Sequence, residues 1–572
     1  LKSRGLGDVY KRQVIDNDVV LDGEGNFIAD AGGTHRVFSV PEGATAQLTG
    51  FTLTGGSTDE AGGGILNAGR LQLANSVVSE NTARFGGGVR NEGQGRADVI
   101  DTTVSNNVAT QAGGGISNRL DGASMTIVGS TVVGNVAEDG CCGGIGNSGT
   151  LMIDNTSVSD NEATTRGGGI SNASDSTLTM SYTTVTSNRA GWRGGGVSNL
   201  GACSSSDSTI SGNSATIVGG GVFNREASFT LTNSTVAGNR ADGGGGGIYS
   251  EAANLRVTGS ELSANTALDS HGGGILNTGG AWATVQDTVV SLNGAFNGGG
   301  ISNDNIDTSI VLVRVEVQGY TAANDGGGIN NGGTLQLVVS AVEANSANNY
   351  GGGIQSFSGA TELIRTSVSG NQSFIGGGLS NFPDAEATLF ASTVAGNATT
   401  NRGGGIDNQS YLALTNTRIA SNSAGADGGG ILNSGTLIAT RSTISENTAA
   451  SSGGGIENYS GWIDLDSSTV SANVSLAGGG GGIENPFPDG TLRLANATVS
   501  GNSSVGRGAI ENAGTAVVTA STLSLGVDDG TVLWDGACLL SPSCPPGALT
   551  IIDTIIDGHC MGAPAVSSLG GN

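Results

Sequence analysis

Lysine is almost missing from this chain: Lys2 and Lys11 are the only two among 572 residues. Histidine is nearly as scarce, and His35, His271 and His559 lie too far apart in sequence to suggest a metal cluster or a proton relay. Aromatic residues make up 4% of the chain and the formal net charge is −26. Nucleic-acid binding wants basic stripes and stacking rings, so this composition excludes it as an expected partner. The same charge argues against anionic membrane surfaces. No apolar run is long enough to cross a bilayer as a helix, so no transmembrane segment is expected. Helical periodicity is missing as well.

Glycine, by contrast, accounts for 103 residues, and its placement is periodic. A Gly-Gly-Gly-Ile-x-Asn block returns about every 26 residues, as at Gly62, Gly113, Gly403 and Gly453. Its apolar residue serves as a marker: Ile65, Val89, Ile116, Ile145, Ile170, Val197, Val222, Ile248, Ile275, Ile301, Ile329, Ile354, Leu379, Ile406, Ile431, Ile456, Ile483 and Ile510. The gaps run from 24 to 29 residues without drift, the signature of a stacked repeat. About 13 residues after each marker comes an apolar residue flanked by hydroxyls, as in Ser76-Val77-Val78-Ser79-Glu80-Asn81. Pairs spaced by two, such as Leu71 and Leu73 or Leu151 and Ile153, precede it. These are strand patterns, and all markers except Leu379 are β-branched.

One repeat therefore holds about three short strands, and 26 residues cannot bury a core alone. Stacking repeat on repeat predicts an all-β, right-handed parallel β-helix of about 20 coils, rising roughly 95 Å at the usual strand spacing. Two asparagine columns support the stacking. One lies two residues after the marker (Asn67, Asn118, Asn172, Asn277, Asn433 and Asn512 among them), with Ser250 and Ser356 as exceptions. The other runs through Asn81, Asn107, Asn135 and Asn161 to Asn502 and breaks at Tyr320. Stacked amides form a hydrogen-bonded ladder, and asparagine tolerates left-handed backbone at a corner. A nine-residue calcium roll is excluded because no Asp follows the glycines, and a phosphate loop because no Lys does.

Both lysines fall in LKSRGLGDVYKRQ, so residues 1–13 read as a non-native leader. Residues 14–537 read as the β-helix. Residues 538–572 read as a cysteine-containing terminal coil, expected to be truncated before a cap or anchor. Cys203 occupies a core-leucine column and reads as a buried thiol. Cys141 and Cys142 stand where corner glycines belong and make no zinc pattern. Cys538 and Cys544 flank a proline-containing loop, and a disulfide between them would imply export.

One constellation carries candidate chemistry. The residue after the marker is expected to point outward, and it is Glu457, Glu484 and Glu511 in three successive copies, with Asp407 two coils earlier. Stacked about 5 Å apart, these carboxylates form a solvated acidic stripe, a calcium site or a catalytic pair. No other cofactor is expected.

The GGGIxN block and its hydroxyl-Val-Ser-x-Asn strand resemble the repeats of bacterial right-handed parallel β-helix surface proteins, including the polymorphic outer-membrane-protein repeats. The resemblance extends from the opening VLDGEGNFIADAGG to the closing TIIDGHCMGAPAVSSLGGN. It implies a secreted or cell-surface structural or adhesive rod, autotransporter-passenger-like and without catalysis. The expected rod is monomeric and extracellular, with a polysaccharide or host-surface ligand, and its signal peptide lies outside this sequence. The alternatives are a pectin lyase-like polysaccharide-degrading enzyme, which shares this fold, and an ice- or mineral-binding array of hydroxyls such as Thr103, Ser105, Thr443 and Ser445.

Overall fold

A computed structural model describes residues 13–15, 17–119, 122–505, 507–524, 531–535, 549–557, 559–562 and 566–568. Every regular element among them is a β-strand. The chain divides into two compact units, Leu1–Ala283 and Thr284–Asn572. Each is an all-β, right-handed parallel β-solenoid with the 26-residue period.

The coil that starts at Ile170 shows how the repeat folds. A three-residue strand, Ile170–Asn172, belongs to a first parallel sheet. Thr177–Ser181 and Thr184–Thr186 both belong to a second sheet, and Arg189–Ala190 to a third. The fourth strand goes beyond the three expected. Its inward residue is small, and Ala83, Ala109, Ala137, Ala163 and Ala190 form a buried column that leaves little apolar signal in sequence. Alternation does the rest: Leu178 and Met180 point inward while Thr177 and Thr179 face solvent.

Register is strict. In the first unit Ile145 pairs with Ile170, which pairs with Val197. In the second, Ile431, Ile456, Ile483 and Ile510 pair in succession. All these side chains are fully buried. The glycine block continues the same hydrogen bonding, with Gly169 N donating to Gly195 O at 3.0 Å and Ile170 N to Gly196 O at 2.8 Å. Two of its glycines are required by geometry. Gly167 sits at φ +64°, and a Cβ on Gly168 would lie 2.4 Å from Arg189 O.

The asparagine columns form ladders. Asn67 Nδ2 donates to Asn91 Oδ1 at 2.7 Å, and Asn118 to Asn147 and Asn172 to Asn199 at 2.8 Å. In the second unit Asn433 donates to Asn458 at 2.8 Å and Asn485 to Asn512 at 2.7 Å. The second column repeats the pattern, as from Asn81 to Asn107 at 3.0 Å. At its interruption Tyr320 is buried, and its hydroxyl accepts from Asn293 Nδ2 at 3.2 Å. The expected left-handed backbone falls elsewhere: Glu80, Asn106 and Asp160, each one residue before a ladder asparagine, have φ of 53–57°. The ladder residues themselves are spent on hydrogen bonds. A third ladder went unforeseen. Buried hydroxyls accept from the preceding coil's backbone, Ser76 N donating to Thr102 Oγ1 at 3.3 Å and Thr102 N to Ser130 Oγ at 3.1 Å.

The two serine gaps in the first column differ. Ser356 Oγ lies 2.9 Å from Thr361 Oγ1, which also accepts from Asn331 Nδ2 at 3.1 Å, so a neighbouring threonine fills the gap. Ser250 Oγ is buried without a hydrogen-bond partner among the described residues, although its strand pairs with those of Asn224 and Asn277. Ser250→Asn is therefore expected to stabilise the first unit by about 1 kcal/mol, one net hydrogen bond, whereas Ser356→Asn should gain nothing. Paired thermal melts check both.

Candidate functional site: a buried carboxylate column

The residue after the marker projects away from the solenoid interior, as expected, but in most coils it is buried, Leu66 and Tyr249 being half-exposed exceptions. Glu457, Glu484 and Glu511 are only 4%, 8% and 7% exposed, and Asp407 is 1% exposed. This corrects the solvated-stripe reading. After the short third-sheet strand the chain turns back across the outer side of the first sheet before it enters the glycine block. A Cβ on Gly453, the first glycine of its block, would lie 2.7 Å from Glu457 Oε2. The column under this cover is variable. It holds Ser171 and Ser198, then the stacked rings of Phe223 and Tyr249, with centroids 5.5 Å apart. Arg193 lies over the Phe223 ring at 5.3 Å.

In the second unit the same column turns acidic. The backbone register places Glu457 beside Glu484 and Glu484 beside Glu511, as the spacing predicts. Leu432 separates Asp407 from Glu457. Ser452 Oγ lies 3.0 Å from Glu457 Oε2 and 3.1 Å from Asp427 Oδ1. A hydroxyl has one proton, so it cannot donate to both carboxylates at once. A protonated Glu457 that donates to Ser452 would satisfy all three groups. Gly480 N donates to Glu484 Oε2 at 2.9 Å, and Arg507 pairs with Glu511 Oε1. Glu511 Oε2 is buried without a hydrogen-bond partner among the described residues. At the other end Arg402 pairs with Asp427 at 3.1 Å and lies over the Tyr459 ring at 5.6 Å.

Burial and crowding raise the proton affinity of this column. Burial, then the charge of Glu484, holds the Glu457 carboxyl well above the usual carboxylate range. Burial raises Glu484 too, against the opposing hydrogen bond from Gly480. Asp407 is pushed up to about 6 by burial, despite hydrogen bonds from Gln409 and Ser380. The arrangement can store protons. Among the described residues no group of three or more His, Cys, Asp or Glu side chains is placed to hold a metal ion.

Five of the six cysteines fall in three places, and Cys560 lies in the strand His559–Gly562. Cys203 is a buried free thiol between Leu178 and Phe229, and burial raises its pKa. Cys141 and Cys142 form a disulfide with each other. The expected Cys538–Cys544 disulfide lies outside the described residues. No helix among the described residues is long and apolar enough to cross a membrane. No protein-family model matches the chain, and no curated protein matches it.

Proposed function

We propose that the chain is a non-catalytic structural or adhesive β-solenoid of a secreted or cell-surface bacterial protein, of the kind its GGGIxN repeats resemble. The regularity of the coils carries this reading. Each unit repeats the same short strands, and the marker gaps of 24–29 residues leave no segment long enough to wall a substrate cleft. Repetition of this kind favours an extended binding surface over a single site.

The outer face of the second sheet offers such a surface. In the second unit Tyr411, Thr436 and Trp462 occupy equivalent positions on successive coils, with both rings exposed. A shallow depression of about 280 Å³ on the same face is lined by Gln336, Glu362, Glu386 and Thr388 among others. Exposed rings with nearby hydrogen-bonding groups suit a polysaccharide or a glycosylated host surface. The hydroxyl rows are a weaker basis for an ice- or mineral-binding array. Glu316 and Arg418 interrupt them, and Ser445 is buried. The lyase alternative gains little from the glutamates, because a catalytic pair must reach its substrate.

Screening the purified chain on a glycan array, together with an assay for chain cleavage, tests the reading. Binding without cleavage is the expected result, and Trp462→Ala should weaken it several-fold. Cleavage of an acidic polysaccharide that is lost in Glu484→Gln would replace the rod by an enzyme.

A further inference from the structure

The adjacent cysteines have no counterpart in the other repeats. Cys142 takes the place of the first block glycine and adopts φ +73°, where Gly62, Gly113, Gly167 and Gly194 have 64–70°. Side chains other than glycine rarely accept that conformation. A second substitution accompanies it. The residue after the marker of this coil is Gly146, where the neighbouring coils carry Ser117 and Ser171, and a Cβ there would lie 3.1 Å from both Cys142 Cβ and Sγ. Gly146 therefore makes the room that the sulfur occupies.

The surroundings give the pair a route to solvent. Cys142 is 5% exposed, whereas Cys141 is half-buried. Cys141 forms a β-bridge with Ala112. Ala112 also lines a depression of about 450 Å³, together with Phe85, Thr110, Gln111, Arg119 and Asp139. Three guanidiniums, of Arg84, Arg90 and Arg119, lie 5.2–5.4 Å from the Phe85 ring centroid. Arg90 is paired with Glu92 at 3.2 Å, but in a chain of net charge −26 the three still concentrate positive charge around the depression that Ala112 joins to Cys141.

We propose that Cys141 and Cys142 form a reversible thiol–disulfide site that exchanges with anionic low-molecular-weight thiols entering beside Cys141. The thiolate of an external thiol attacks Cys141 Sγ, the Cys141–Cys142 bond breaks, and Cys142 leaves as a thiolate that takes up a proton. A second external thiolate then attacks the external sulfur of the mixed disulfide. Cys141 departs as a thiolate and is protonated, and the two external thiols leave as one disulfide. The protein pair gains two electrons and two protons, and the external pair loses the same. The low-molecular-weight disulfide drives the reverse reaction. Backbone hydrogen bonds from Gly113 N to Cys141 O (3.2 Å) and from Cys142 N to Arg166 O (2.9 Å) hold the corner to its neighbours.

Glutathione is the probe. The full-length native protein is equilibrated in buffers of stepped reduced-to-oxidised glutathione ratio, alkylated, and mapped by peptide mass spectrometry. Cys141 and Cys142 should gain or lose two alkyl groups together as the ratio changes, while buried Cys203 stays unmodified. Cys142→Ser should trap one glutathione on Cys141. Arg119→Gln should slow exchange with glutathione several-fold but leave exchange with uncharged 2-mercaptoethanol unchanged. Cys142→Gly restores the residue of the other repeats, so it should fold normally and, like Cys142→Ser, carry at most one glutathione on Cys141 instead of cycling as a pair. A pair that stays reduced in oxidised glutathione, or stays oxidised until the chain is denatured, overturns the proposal. So does a Cys142→Ser variant that takes up no glutathione. An equal Arg119→Gln effect on both thiols removes the electrostatic recognition.

Discussion

Ile170→Asp is expected to unfold its coil and the coils on either side, whereas Ile170→Val should cost about 1 kcal/mol. Ile170 is fully buried, with Ile145 and Val197 beside it in the first sheet. Valine keeps the shape and removes one methylene. Aspartate places a carboxyl group among buried apolar side chains, and burying it costs several kcal/mol as an unpaired charge and still costs as an unsatisfied polar group once it takes up a proton. In a solenoid each coil leans only on its neighbours, so the damage should stay local. Hydrogen exchange provides the measurement. In the aspartate variant, amides of Ile145–Asn147, Ile170–Asn172 and Val197–Asn199 should lose protection, while those of Ile456–Asn458 keep theirs. Equal stability of the two variants would sink the inward assignment of the marker column.

The second large effect concerns pH. The carboxylates of Glu457, Glu484 and Asp407 all hold protons more tightly in the folded chain than free carboxyls do. Below the ordinary carboxyl pKa of about 4 both states are protonated, and the column costs nothing. As pH rises, the unfolded chain releases its protons first, so stability falls through the folded values, about 6 for Asp407 and well above the usual carboxylate range for Glu457. For Asp407 alone the loss approaches about 3 kcal/mol. The second unit should thus melt at a higher temperature at pH 4.5 than at pH 8. Relief of the general negative charge also favours the acid side, so variants must isolate the column. Glu457→Gln with Glu484→Gln should raise stability at pH 8 and remove much of the slope, and a slope identical to wild type would refute the account. Calcium in the same melts separates two ways of relieving the repulsion. A rise at pH 8 that magnesium does not reproduce and that Glu484→Gln abolishes would assign a cation to the column, whereas a flat titration leaves protons alone.

What could be read in advance divides along physical lines. Periodic apolar and amide columns were visible, because each such residue faces its own kind in the next coil: Ile170, Leu178 and Asn172 are where the spacing places them. The cover over Glu457 was not visible. Alternation within a strand says which side a residue leaves from, and it is silent about a loop of variable sequence crossing that side. The fourth strand escaped notice because alanine carries little hydrophobic signal. The Cys141–Cys142 bond was missed because adjacent cysteines in a corner look like a local substitution until their backbone is seen.

The amide ladders are vectorial. Among the described residues the earlier coil gives the proton and the later one receives it, as from Asn67 to Asn91 and from Asn473 to Asn502. A stack cut between any two such coils would therefore show unlike surfaces, side-chain NH₂ groups on one and carbonyl oxygens on the other. For the ladders to continue across an end-to-end contact, two copies would have to meet head to tail. During synthesis the same asymmetry gives growth a direction. Each finished coil leaves its NH₂ groups aimed at the space the next will fill, so the incoming asparagine finds its register by offering an oxygen.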